Sequence, residues 1–266
     1  MKRKLSAVVI FAAVAMLAWA ASAGAVDGTI EINQAKVLAG SGFPYKITTG
    51  GSYRLTGNLM TPVGIDGIDV TAAGVTIDLN GFSITGSLLS GTQTGINAGQ
   101  DDVTVENGTV TAFRGTGVQV GKFGIVRNVH ADANGTIGIQ GGLNSVIEGC
   151  TANNSSTGIS CSGVCLISGN TANGNVNDGI DCSANACVIS NNTANANGGN
   201  GIDCVGSGCL ISGNTAFNNS IGISAIDATT GYGGNVLKNS TNISLGTSLG
   251  AKNTNLCTTG GVTSAC

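Results

Sequence analysis

Nine cysteines, all after residue 149, carry the most specific chemical pattern in the chain. Cys161, Cys182 and Cys204 each follow a glycine by three residues, and Cys165, Cys187 and Cys209 lie four or five residues further on. Side chains flanking one tight turn from the same face reach disulfide geometry. The spacing therefore predicts the bridges Cys161–Cys165, Cys182–Cys187 and Cys204–Cys209, with pairing between neighbouring repeats as the alternative. Cys257–Cys266 would close the C-terminal end, and Cys150 is left as a buried free thiol. Zinc ligation is the rival use of such clusters. The single histidine and an export signal at the N-terminus favour disulfides instead.

Two sets of ionisable residues have the types to act on a substrate. Asp101, Asp102, Glu106, Arg114, Lys122, Arg127, His130 and Asp132 gather in one region of a chain that is only 9% charged. β-Elimination from a uronide needs a base near the α-proton and a cation to neutralise the carboxylate. Arg127, Lys122 and His130 are the candidate bases, with Asp101 and Asp102 completing the set. The structural reading of the same residues is a Glu106–Arg127 ion pair across neighbouring strands, with His130 on the surface. Asp181 and Asp203 occupy equivalent positions of successive repeats. Like charges about 5 Å apart repel unless a cation lies between them, so Ca²⁺ is the one metal candidate and no other cofactor is expected.

These residues are positioned by a repeat. Gly-Ile or Gly-Val recurs at Gly95, Gly117, Gly138, Gly158, Gly179, Gly201 and Gly222, in steps of 20 to 22 residues. Between the markers, a second aliphatic residue is followed three positions later by a polar one, as in Ile125…Asn128, Ile147…Cys150, Ile167…Asn170, Ile189…Asn192, Ile211…Asn214 and Val236…Asn239. Short β-branched runs separated by Gly, Ser and Asn read as strands and turns, with no room for a helix of ordinary length. Coils stacked about 4.8 Å apart pile the Ile columns into a core. Asn128, Asn170, Asn192, Asn214 and Asn239 would then form an amide ladder that satisfies backbone groups at a corner. Leucine-rich repeats share the period, but Ile and Val dominate here where that architecture needs several leucines. The expected fold is all-β: a right-handed parallel β-helix of single strands with coils of about 21 residues.

The ends differ from the middle. Lys2, Arg3 and Lys4, the apolar run Leu5 to Ala20 and the small residues Ala21-Ser22-Ala23-Gly24-Ala25 have the three parts of a cleavable signal peptide, residues 1–25. The apolar run is shorter than the ~20 residues of a membrane span, and no later segment could cross a bilayer. Residues 26–66 are expected to form an N-terminal cap and irregular first coils, 67–242 the regular coils, and 243–266 a C-terminal cap or tail. After cleavage, 8 basic and 14 acidic residues remain, a net charge of −6. That balance excludes nucleic acid and anionic membrane surfaces as partners.

The repeated G-I-x-C…I-S-x-N-x-A pattern, the segment VTIDLNGFSITG and the ending GYGGNVLKNSTN…NLC…C resemble bacterial right-handed β-helix proteins of the pectate-lyase-like superfold. The resemblance covers nearly all of the mature chain. It implies the fold, and a range of roles that includes polysaccharide lyases, hydrolases, epimerases and surface proteins without catalysis. Asn177-Asp178-Gly179-Ile180-Asp181 resembles a catalytic segment of polygalacturonases. That family's Asp pair, Gly-His-Gly and Arg-x-Lys are absent, since Asn200-Gly201 and Ile221-Gly222-Ile223 stand in their places.

The leading expectation is an exported, non-catalytic, monomeric solenoid, secreted to the periplasm, cell surface or medium. Its role would be structural or the binding of polysaccharide or cell envelope. A uronate lyase or epimerase is the alternative. Stacked Thr151, Thr171, Thr193 and Thr215 also match the ranks of ice-binding solenoids, a minor alternative.

Overall fold

The computed structural model describes residues 28–89, 91–225, 227, 229–245, 255–259 and 262–265. The signal segment 1–25 and Cys266 lie outside the described residues. The chain winds as a parallel β-solenoid. Successive coils contribute to three sheets, of 13, 10 and 5 strands, and the strands of the ten-stranded sheet count ten turns. Among the described residues, pairing is parallel except between Leu256–Thr259 and Val262–Ala265.

Each strand alternates its side chains between the interior and the outside, as the pleat requires. Leu166–Ser168 runs exposed, buried, half-buried, and Ile180–Cys182 runs buried, half-buried, buried. Register then stacks like on like. Ile139, Ile159, Ile180, Ile202 and Ile223 are Cα partners in turn on the ten-stranded sheet. On the thirteen-stranded sheet the rank is Val105, Val126, Ile147, Ile167, Ile189 and Ile211. All these aliphatic side chains have no measurable exposure. Ala131, Ala152, Ala172, Ala194 and Ala216, also fully buried, fill the narrower third side.

Two of the three corners use one device. A residue with positive φ turns the chain, and the next side chain points inward. At the first corner the turning residues are Asn128, Gly149, Gly169, Asn191, Gly213 and Gly234, with φ between 53° and 66°. Glycine and asparagine are the residues that adopt this left-handed conformation at least cost. The inward residues that follow Gly169, Asn191, Gly213 and Gly234 are Asn170, Asn192, Asn214 and Asn235. In Asn192, Nδ2 donates to Ile167 O at 2.9 Å and to Asn214 Oδ1 at 3.0 Å, while Oδ1 accepts from Asn170 N at 2.9 Å. The ladder continues to Asn255 and starts at Cys150, whose N–H donates to Asn170 Oδ1.

The second corner carries a second ladder. It begins with Asn134 and Ser155 and continues through Asn175, Asn197, Asn219 and Asn239. Two residues assigned to the first ladder from the sequence are therefore corrected. Asn128 is exposed and is itself the turning residue, because Val126 rather than Ile125 aligns with Ile147, and Val129 takes the inward place. Asn239 belongs to the second ladder, because Val236 aligns with Thr215, and Asn235 takes the vacated rung.

The third corner is longer, and it is here that the disulfides lie. Cys161–Cys165, Cys182–Cys187 and Cys204–Cys209 bridge within coils, with Cα separations of 6.5, 6.8 and 6.9 Å. Cys150 is a buried free thiol, which donates to Glu148 O at 3.3 Å and to Val126 O at 3.5 Å. Cys257 is disulfide-bonded. Among the described residues the one helix is Gln34–Ala39, started by Asn33, whose side chain accepts from Lys36 N. No helix among them is long and apolar enough to cross a membrane.

Candidate functional site

The outward ranks determine what the solenoid can touch. On the thirteen-stranded sheet most of the charged residues fall into one rank, with Asp132 apart from it beyond the bend at Asn128. Glu31, Arg54, Asp78, Glu106, Arg127 and Glu148 are successive Cα partners, and Ser168, Ser190 and Ser212 continue the line. Arg54 Nε meets Asp78 at 3.1 Å and Arg127 Nε meets Glu106 at 2.5 Å. The hydrogen bond to Glu106, then the charges of Glu106 and Glu148, raise the Arg127 pKa and hold the guanidinium protonated.

The remaining candidate bases stand apart from Arg127. Asp101 and Asp102 are exposed at a turn, where Asp102 N donates to Lys122 O. Lys122 lies over the Phe123 ring, 4.7 Å from its centroid. His130 is exposed beyond the bend at Asn128, between Thr109 and Thr151 in register. A shallow depression of about 360 Å³ holds Arg127 with Glu148, Ser168 and Asn191, but none of Lys122, His130, Asp101 or Asp102.

On the ten-stranded sheet Asp181 and Asp203 are Cα partners. Burial, then the charges of Asp203 and Asp178, push the Asp181 carboxyl up to about 6. Asp203 is raised too, first by burial, and its Oδ1 is buried with no hydrogen-bond partner. An orphaned acceptor beside a second carboxylate suits a proton or a hard cation, so Asp181 and Asp203 are the residues that would hold Ca²⁺, and no third carboxylate closes on them among the described residues. The sulfur atoms of Cys161, Cys182 and Cys187, and of Cys182, Cys204 and Cys209, are also clustered, but all are in disulfides.

The third face is the most regular. Thr151, Thr171, Thr193 and Thr215 stack in register, and Asn153, Asn173 and Asn195 run beside them. Asn153 Oδ1 accepts from Asn173 N at 2.9 Å, Asn173 Oδ1 from Asn195 N at 2.8 Å, and Asn195 Oδ1 from Phe217 N at 2.9 Å. Each amide is thereby fixed, with its Nδ2 donor left for an external acceptor. The asparagine rank ends in Phe217 and then Lys238. Beside them opens a groove of about 550 Å³, lined by Asn218, Ser220, Lys238, Ser240 and Thr258 among others. The sequence reading did not single out this groove. The available sign was the replacement of asparagine by Phe217 and Lys238 in successive copies of the Thr-Ala-Asn triplet.

A family model described as the right handed beta helix region matches residues 66–221. The chain belongs to that family. The β-helix is similar to the crystal structure of Dettilon tailspike protein, at 17% identity and a TM-score of 0.63, over 79% of this chain and 47% of that one. It thus spans about half the length of the tailspike chain. It is also similar to the A-module of Azotobacter vinelandii mannuronan C-5 epimerase AlgE4, at 17% identity and a TM-score of 0.43, over 80% of this chain and 83% of that module. No curated protein matches the β-helix sequence.

Proposed function

We propose that this protein is an exported, non-catalytic β-helix that binds polysaccharide along its threonine and asparagine face. The carrying observation is the fixed array of amide donors and hydroxyls, one set about every 4.8 Å, that runs into Phe217 and the adjoining groove. An immobilised polar array costs little further ordering on binding, and an aromatic at its end supplies an apolar platform for a sugar ring. From Thr151 to Phe217 the threonine and asparagine ranks contain no charged residue. The Dettilon protein is a tailspike and the Azotobacter module a mannuronan epimerase, names compatible with an exported, polysaccharide-related role. No cofactor is needed for this activity.

A glycan array and pull-down with insoluble polysaccharides, using the chain from residue 26, test the reading. Phe217→Ala should weaken retention about tenfold, the loss expected of one aromatic contact. The uronate lyase or epimerase reading draws on the depression beside Arg127 and Glu148. Ultraviolet absorbance on pectate, alginate and glycosaminoglycans, with and without Ca²⁺, detects a lyase. Proton NMR of the uronate C5 configuration in the same samples detects an epimerase, which forms no unsaturated product. Unsaturated product that vanishes in Arg127→Ala would overturn the non-catalytic reading.

A further inference from the structure

On the thirteen-stranded sheet, next to the charged and serine rank, lies an aliphatic one. Ile125, Val146, Leu166, Val188 and Leu210 are Cα partners on consecutive coils, and Gly231 ends the line. These residues point outward. Leu166 and Leu210 are 38% and 48% exposed, while Ile125, Val146 and Val188 are half-buried. Exposed Phe123, Leu143 and Val164 flank the rank. A shallow depression of about 260 Å³ lies among Val146, Val164, Leu166, Ala186 and Val188, with no charged residue in its lining.

The order of sizes along this rank is informative: Ile, Val, Leu, Val, Leu, Gly. Consider a two-fold axis that lies in the plane of contact, along the strand direction, between Leu166 and Val188. It sets Leu166 against Val188, Val146 against Leu210 and Ile125 against Gly231 of a second copy. Every large residue then faces a small one, and the protruding leucines meet the valines that line the depression. The neighbouring rank agrees. The same axis sets Ser168 against Ser190, Glu148 against Ser212 and Arg127 against Gly233, so no like charges are brought together. An axis along the solenoid through this rank would instead set each coil against itself, Leu166 on Leu166 and Leu210 on Leu210.

We propose that this aliphatic rank is a homodimer interface, in which two copies of the chain pack antiparallel about an axis between Leu166 and Val188. The apolar core of the contact is uncharged, as such interfaces require. Six coils span about 24 Å. With its flanking ranks the strip is about 20 Å across and covers roughly 500 Å² per partner, below the ~800 Å² of a stable interface, so a weak dimer with a dissociation constant of about 10 µM is expected. The threonine and asparagine face lies beyond the first corner from this rank and stays open.

Sedimentation velocity of the chain from residue 26, between 1 and 200 µM, tests the proposal. The mass should double with a midpoint of about 10 µM. Leu166→Ser with Leu210→Ser should stay monomeric throughout, at unchanged circular dichroism, because both side chains are substantially exposed. Gly231→Val tests the register. A Cβ there meets nothing closer than Leu210 Cδ1 at 3.5 Å, so the fold accepts it, but it would put two branched residues opposite each other. Dimerisation should weaken about tenfold. A wild-type chain that is monomeric at 200 µM, a leucine variant that still dimerises, or a Gly231→Val chain that dimerises more tightly would each overturn the proposal.

Discussion

A Cβ built on Gly179 would lie 2.7 Å from Asn197 Nδ2 and 2.7 Å from Gly201 O. The same pair of obstacles, a ladder amide and the next coil's glycine carbonyl, stands at Gly158 and Gly201. The Gly-Ile repeat and the second asparagine ladder are therefore one device. Glycine leaves the space through which the amide reaches the coil.

Gly179→Ala should consequently displace the Asn197 amide and leave buried polar groups unpaired. The expected loss is about 3 kcal/mol, a fall in Tm of ~6–12 °C for a chain of this size. Thermal denaturation followed by circular dichroism measures it. Adding Asn197→Ala should cost less in this background than alone, because the amide is already displaced. Fully additive losses would show that the two positions are independent.

Cys150 takes the place of an asparagine at the start of the first ladder. Its thiol donates to Val126 O as Asn170 donates to Ile147 O, and its N–H meets the Asn170 amide. Burial pushes the thiol up to about 11. The native chain should therefore resist iodoacetamide at pH 8 and react at one site only after unfolding, as read by mass spectrometry. Cys150→Asn should keep the fold and raise stability by about 1 kcal/mol, since an amide supplies stronger donors and acceptors than a thiol.

Each of the three bridges within the coils closes a short loop at the third corner. Replacing Cys182 and Cys187 together by alanine should cost about 2 kcal/mol on the chain-entropy account. The coil should persist, because Ile180 and Val188 remain paired on both sides. Reducing agent should lower the Tm of the wild-type chain more than that of this variant. Equal shifts would show that the bridge adds nothing.

Much of this architecture was legible in the sequence because coil stacking repeats chemistry at a fixed interval. The glycines, the Ile columns and the three cysteine pairs could be read directly from spacing. The asparagines were harder. Each of the three coils from Ile167 to Asn219 contains two corners with an inward asparagine, and at both an aliphatic residue precedes it by three positions. A single spacing rule therefore merged Asn239 of one ladder with Asn214 of the other. Asn128 met the same rule one residue out of register, and only the positive φ at that position distinguishes a turning asparagine from a laddered one. Outward chemistry was least legible. The charged residues between 101 and 132 are neighbours in sequence, yet the bend at Asn128 separates Arg127 from His130. The groove beside Lys238 is formed by coils that sequence distance keeps apart.

The Asp181–Asp203 pair predicts an unusual pH profile. The Asp181 carboxyl rises from an ordinary 3.8 to about 6 in the fold, chiefly by burial and then by the charges of Asp203 and Asp178. The native state thus holds this proton more tightly than the unfolded chain, so the group's contribution to stability falls as pH rises from about 4 to about 6 and is flat above. Most paired carboxylates act in the opposite sense. Asp181→Asn should remove this part of the profile. At pH 7.5 it should stabilise the chain by about 1 kcal/mol, a figure reduced for solvent screening at a partly exposed site, or ~2–4 °C in Tm. Millimolar Ca²⁺ provides the second arm. A cation between the carboxylates would raise the Tm of the wild-type chain at pH 7.5 and leave Asp181→Asn unchanged. If the variant is instead less stable than the wild type at pH 7.5 without calcium, the ionised pair is held by favourable contacts and the cost assigned to its burial and like charges is wrong.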